Sequence, residues 1–285
     1  MDNLDSNNNK LILIKKASGH EEAFSSDKLE RSLLNAGAKK ETILKIVADI
    51  EKWIYNGITT RKIYSRAFSL LRHEKTTSSL RYRLKQAILE LGPTGYPFEK
   101  LIGKLFQQKG FNTEVGIIVE GNCVTHEMDV IATNDKVQHL VECKYHKDQG
   151  KQVSVQVPLY VRSRVDDIIS KRQGMSEYQG FSFSGWVITN TRFSEDSMQF
   201  GVCSGLNLMA WDYPAGNGLK ENIEKFNLYP VTILKKLTIK QKQYLLNQGI
   251  VTCSQLLESS ELVSSLELSK NKFNVLMKEL NDICG

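Results

Sequence analysis

The sequence predicts an α/β chain, α+β in arrangement: a mainly helical N-terminal region, a central mixed sheet and a small helical tail. Three observations carry this reading. Apolar residues recur at helical spacing before residue 91 and again after Val231. Between these regions lie runs of alternating or continuous apolar residues that read as strands, and one strand–helix–strand succession implies parallel pairing. The stretch LGPTGYP, residues 91–97, is the clearest punctuation in the chain.

Taken in order, residues 1–10 are an Asn-rich polar tail, expected to be disordered. LILIKK then reads as a strand, SGHEEAF as a turn with a returning strand, and SSDKLERSLLNAG as a helix ending at Gly37. Ile43, Ile46, Val47, Ile50 and Ile54 mark a second helix, and Thr59 or Thr60 opens a third. Basic RYRLKQAIL closes a domain over 11–92. A second domain, 93–230, opens with a helix carrying Phe98, Leu101, Ile102, Leu105 and Phe106, with Pro97 at its start and Gly110 at its stop. The strands TEVGIIV, EMDVIAT and HLVECKY follow, the last two joined by the turn NDK. GWVITN, FSEDSMQFGVCSG and LNLMAWDYP form the strand–helix–strand unit. Residues 231–285 are helices alone, with Thr and Ser at their starts.

Composition bounds the function. With 285 residues, 41% of them hydrophobic, and no apolar run near the roughly 20 residues of a membrane span, the chain reads as globular. Its polar, acidic first ten residues lack a signal peptide's pattern, so a cytoplasmic location is expected. Cys123, Cys143, Cys203, Cys253 and Cys284 form no CxxC or CxH pair, which argues against a disulfide framework or a zinc site. The net charge of +6 is uneven: residues 1–95 carry 17 Lys and Arg against 11 Asp and Glu, and the remainder balances at 21 against 21. Phosphates are therefore expected to meet the N-terminal domain.

The chemistry concentrates in HEMDVIATNDKVQHLVECKYH, residues 126–146. Alternate side chains of a strand share a face, so Glu127 pairs with Asp129 on one strand and Glu142 with Lys144 on the next. If the two polar faces coincide, three carboxylates and an ammonium converge, and like charges so close call for a cation. Mg²⁺ or Mn²⁺ held by Asp129, Glu142 and Glu127 suits phosphodiester hydrolysis, with Lys144 orienting the attacking water. A surface hairpin with a solvated charged face accounts for the same residues, but LVECKY is too apolar for an edge strand. The segment from Lys144 to Arg172 holds seven Lys and Arg against three Asp and is expected to track a nucleic-acid backbone or to form a solvated helix face. His126 and His146 read as supporting or surface groups.

MDVIA followed by VECKY resembles the PD-(D/E)xK nuclease signature, with Glu142 thirteen residues after Asp129. GYPFEKLIGKLFQQKGF resembles the opening helix of the Mrr-type restriction endonucleases. The resemblance covers about residues 92–215 and implies a restriction-endonuclease-like core that cuts DNA. It adds Glu99 to the metal site and, through QVPLY, Gln156 to the catalytic set. No proline precedes Asp129, and HEMD replaces the family's glycine-rich approach, which brings in Glu127.

KKASGHEEAFSSDKLERSLLNAG, with GITTRKI and LRYRL, resembles the ATP-cone, a regulatory module of ribonucleotide reductases and of the repressor of their genes. This implies ATP or dATP as a regulatory ligand on Lys16, Glu22, Ser25, Lys28 and Thr60, and assembly of a homo-oligomer through the domain. Ala17 stands where that family has a second basic residue, and Lys15 substitutes. The lesser alternative for these residues is a small helical protein-interaction domain. LLNQGIVTCSQLL resembles a helix-hairpin-helix, in which Gly249 either approaches DNA phosphate or caps a helix. The leading expectation is a nucleotide-gated endodeoxyribonuclease; the alternative is a nucleotide-responsive DNA-binding regulator on a non-catalytic nuclease fold.

Overall fold

The protein is described from a computed structural model, covering residues 12–16, 18–36, 38–72 and 82–285; the expected tail over 1–10 lies outside these. The chain forms two compact units, Met1–Tyr82 and Arg83–Gly285.

In the first unit β1 (Leu13–Lys15) and β2 (Glu21–Ala23) run antiparallel, and Gly19, at φ +85°, provides the left-handed residue of their turn. After α1 (Ser26–Asn35) and α2 (Lys40–Trp53), β3 (Ile58–Thr59) pairs parallel with β1 and leads into α3 (Thr60–Arg72). Ile14 points inward from β1 and joins Leu33, Ile46, Ile50, Ile58, Ala67 and Leu71 in one core. The helical spacing of those positions is what makes the three helices amphipathic.

The second unit begins eight residues before LGPTGYP, at Arg83. Its first helix, α4 (Leu84–Leu89), packs within that unit: the Thr232 hydroxyl donates to the Ala87 carbonyl at 2.6 Å, and the Tyr145 hydroxyl to that of Leu89 at 2.7 Å. LGPTGYP is thus a turn inside the unit rather than its edge. α5 (Tyr96–Gln108) follows, and then β4 (Asn112–Glu120), β5 (Thr125–Asn134) and β6 (Val137–Lys144), an antiparallel series. α6 (Gln156–Gln173) crosses to β7 (Ser182–Thr189), and α7 (Glu195–Ser204) to β8 (Asn207–Met209), both parallel additions. The sheet order β4-β5-β6-β7-β8 makes β6 central, as its apolar run predicts.

Helices cover both faces of the sheet. On one, Phe106 of α5 lies 5.7 Å from the rings of His139 and Trp186. On the other, Val161, Val165 and Ile168 of α6 share a core with Ile131, Leu140 and Val187. α8 (Leu219–Lys225) leads to the tail: α9 (Ile239–Asn247), α10 (Cys253–Glu258), α11 (Ser260–Ser264) and α12 (Lys270–Cys284). Thr238, Thr252 and Ser269 cap α9, α10 and α12 through their side chains. Gly249 at φ +81° ends α9, with the Ile250 N–H returning to the Leu245 carbonyl at 2.9 Å. This geometry is that of a helix C-cap. No cysteine is in a disulfide, and no described helix is long and apolar enough to cross a membrane.

Glu279 on α12 is 5% exposed and one of its carboxylate oxygens has no hydrogen-bond partner. Burial pushes its carboxyl above the usual range, Lys236 and Lys235 pull it back, and Asp282 adds to the rise. A folded-state value above the unfolded one means that stability falls as pH climbs through the unfolded carboxylate range toward the folded value. Glu279→Gln is expected to raise stability by about 1 kcal/mol at pH 8, with less gain at pH 5. Melting of wild type and variant at both pH values checks this, and an equal gain at both would contradict it.

Candidate active site

β5 and β6 pair from Asn134↔Val137 to Val130↔Val141. Continued by one step, this register sets Asp129 opposite Glu142, and by three steps Glu127 opposite Lys144. There the ladder gives way: the Cys143 N–H donates at 2.6 Å to the Asp129 carboxylate instead of a carbonyl. Asp129 and Glu142 both open on the cavity beneath α6, where strict alternation breaks near Gly116 (φ +65°) and Met128 as well as Ile131 joins the α6-side core. From α6, Arg164 donates to Glu142 at 2.7 Å, and its guanidinium lies 5.1 Å from the center of the Tyr160 ring. Thr125, His126, Glu127, Asp129, Glu142, Tyr160 and Arg164 line a cavity of about 290 Å³.

The electrostatics tie further residues to this cavity. Burial pushes the Glu142 carboxyl up to about 7, with Asp129 adding to the rise while Arg164 and Lys144 oppose it. Glu99, in the first turn of α5, is also raised to about 7, by burial and then by Asp129, Glu127 and Glu142. Asp129 is raised by burial, against the Cys143 N–H bond and Arg164. Four carboxylates therefore sense one another's charge. Among the described residues, no three His, Cys, Asp or Glu side chains gather into a ready-made metal site. Asp129 and Glu142 could hold a hard cation of the kind that takes one or two carboxylates and completes its shell with water and phosphate oxygens.

Comparison with known proteins places this arrangement. Residues 92–213 match the family model described as restriction endonuclease, of the Mrr catalytic type, and residues 229–284 match the AF1548-like C-terminal model. An uncharacterized protein of Archaeoglobus fulgidus is 30% identical over 185 residues, covering 65% of this chain and all of that one. The chain belongs to the AF1548-like family. The crystal structure of AF1548, a protein of unknown function, matches with TM-score 0.54 at 30% identity, over 67% of this chain and 99% of that chain. A likeness to the MspJI restriction endonuclease in complex with a 27-mer oligonucleotide has TM-score 0.34 at 13% identity, over 61% of this chain and 36% of that chain, and carries no weight. The central region of this AF1548-like chain has a restriction-endonuclease-like, mixed-sheet fold.

Lys144 is the last residue of β6 and is exposed. Gln156 is the exposed first residue of α6 and is not part of the cavity wall; Tyr160, one turn on, is. Arg164, a turn further, is the residue that sequence reasoning missed. The only signal for it was its place in the series 156, 160, 164 on one helix face. Four cations of the basic segment have partners: Arg164 and Arg172 are buried, while Arg162 and Lys171 pair with acids at the surface. Arg164 is bound to Glu142, Arg162 to Asp166, Lys171 to Glu120 and Arg172 to Gln138, which leaves Lys144, Lys147 and Lys151 exposed. His126 both lines the cavity and bonds Asp167 of α6 at 2.7 Å. Asp167 also accepts from the Cys123 N–H at 2.8 Å and the Val124 N–H at 3.3 Å, and these bonds hold its carboxyl down at about 2. His146 is fixed by Asn190 and Thr191, a structural role.

In the first unit, Glu22 sits between Lys16 at 2.9 Å and Lys28 at 3.2 Å, and the two ammonium groups outweigh its partial burial and lower its carboxyl. Ser25 caps α1 by accepting from the Lys28 N–H. Lys15 pairs in register with Thr59, the neighbor of Thr60. Lys16, Glu22, Ser25 and Lys28 thus gather at one helix start. A larger hollow of about 660 Å³ is lined instead by Trp53, Thr59, Arg61, Lys62, Ser65, Arg66 and Ser69, none of the six predicted residues.

Proposed function

We propose that the chain is a divalent-metal-dependent endodeoxyribonuclease whose activity responds to ATP or dATP in its N-terminal unit, read as an ATP-cone. The observation that carries the nuclease reading is the pair Asp129 and Glu142, side by side over one cavity with Lys144 two residues beyond. Mg²⁺ or Mn²⁺ would be the cofactor: Asp129 and Glu142 would hold it, with Glu127 sharing the site and Glu99 adding negative charge. When bound it supplies Lewis-acid polarization of a phosphodiester and an acidified water. The chain's own part is then positional. Asp129 is aimed by the Cys143 N–H, and Lys144 orients the attacking water and offsets charge developing on phosphate oxygen.

The test is incubation of the full chain with supercoiled plasmid DNA and Mg²⁺ or Mn²⁺, with and without ATP or dATP. Nicked or linear product that EDTA prevents is the expected result. Intact plasmid in every arm, with well-folded protein, refutes the reading. A second reading, a DNA-binding regulator on a non-catalytic nuclease fold, draws on the Arg164–Glu142 ion pair, since a guanidinium already neutralizes one of the carboxylates. That reading expects DNA binding without cleavage in all arms.

For the first unit, Lys16 and Lys28 supply point charges and the α1 start supplies N–H groups suited to a triphosphate. The double variant Lys16→Ala with Lys28→Ala is expected to remove ATP and dATP binding to the full chain, and with it any nucleotide effect on cutting rate or oligomer size. Equilibrium dialysis checks it. No binding to the wild type would end the ATP-cone assignment and leave the nuclease reading standing.

A further inference from the structure

Arg164 is placed unlike a surface arginine. It is 9% exposed, its Nη1 bonds Glu142 at 2.7 Å, and its Nε is buried without a hydrogen-bond partner. Tyr160 holds the guanidinium by a cation–π contact, and both side chains line the cavity that Asp129 and Glu142 share. A buried arginine left short of one partner is expensive, and such a group persists where a ligand completes it. Glu142 is also, with Asp129, one of the two part-buried carboxylates that line this cavity, so a cation seated there meets it. A divalent cation on Glu142 competes with the guanidinium for the carboxylate's charge and for the oxygen, Oε2, that Arg164 holds.

We propose that Arg164 is a displaceable counter-ion: it neutralizes Glu142 in the metal-free protein, gives that carboxylate up to a divalent cation, and then binds the phosphodiester with its freed fork. The inference rests on the nuclease reading above. It makes Arg164 a phosphate-binding group that, in the absence of metal, offsets the charge of one of the cavity's three carboxylates. A guanidinium suits the second role because its planar donors match two phosphate oxygens at once.

The test uses Mn²⁺ as the probe and the full chain at pH 8, measuring free Mn²⁺ by electron paramagnetic resonance. Arg164→Gln is expected to bind Mn²⁺ about tenfold more tightly than wild type, a change of the size that partners of metal ligands ordinarily make. On a Lys144→Ala background in Mn²⁺, the same substitution is expected to weaken binding of a fluorescent DNA duplex about tenfold, the loss of one charge-assisted contact. A residue that only neutralized Glu142 would raise Mn²⁺ affinity on removal and leave DNA affinity alone: Mn²⁺ affinity unchanged or weaker in Arg164→Gln overturns the displacement, and unchanged DNA affinity on the Lys144→Ala background overturns the phosphate contact. If that variant does not fold, Arg164→Lys decides, since a compact ammonium without the fork should still release Glu142 more readily and bind DNA less well. Wild type that cuts DNA while these affinities stay put sinks this inference alone. Wild type that neither cuts nor binds Mn²⁺ through Asp129 sinks the nuclease reading, and this one with it.

Discussion

Lys144→Ala is expected to leave a folded protein that cuts DNA at least about a hundredfold more slowly than wild type, the scale on which losing one preorganized charge-stabilizing group is felt. The side chain is exposed at the end of β6 and belongs to neither face's core, so the melting temperature should stay within the spread of ordinary surface substitutions. Plasmid-nicking rates in Mg²⁺, beside a thermal melt of the same preparation, separate the two quantities. Undiminished cutting would remove Lys144 from the site and weaken the resemblance on which it was chosen. A large fall in melting temperature would mean instead that the lysine serves the fold.

Phe106→Ala should have the largest effect on stability, about 3–5 kcal/mol. The ring is 1% exposed and meets Phe111 at 6.0 Å edge-on, together with His139 and Trp186. Removing it empties the center of the contact between α5 and the sheet, and the other rings cannot collapse into the space without leaving their own rotamers. Urea unfolding of the full chain, followed by tryptophan fluorescence with Trp53 and Trp211 replaced by Phe so that Trp186 alone reports, measures the loss. A loss below about 1 kcal/mol would show that α5 is not held where its apolar face indicates.

How far the chain could be read without coordinates depends on the range of each interaction. The apolar run of LVECKY placed β6 in the interior of the sheet, because burial on two faces is a local property of six residues. The facing of Asp129 and Glu142 needed only strand pairing and a short turn, which Asp135 makes with φ 43°. Arg164 was not legible, since its partner lies 22 residues away across a crossover and its neighbors Arg162 and Asp166 give the same charge pattern as a solvated helix. The same blindness made the basic segment look like one surface when two of its cations, Arg164 and Arg172, are buried against Glu142 and Gln138. The break between units was misplaced for a related reason. A Gly-Pro-rich turn is visible in the sequence, whereas the hydrogen bonds that bind α4 to Thr232 and Tyr145 span 145 and 56 residues.

Asp167 ties the turn after β4 to the helix that carries Tyr160 and Arg164, through two backbone N–H groups and the His126 ring. With its carboxyl held near 2, the tie does not come undone by protonation at any pH a cell meets. One rim of the cavity and its helical wall are therefore a single stiff piece, ordered when the chain folds and not when a ligand arrives. None of a ligand's binding free energy goes into arranging that side, so a ligand that fits it should dock there without waiting for the loop to settle.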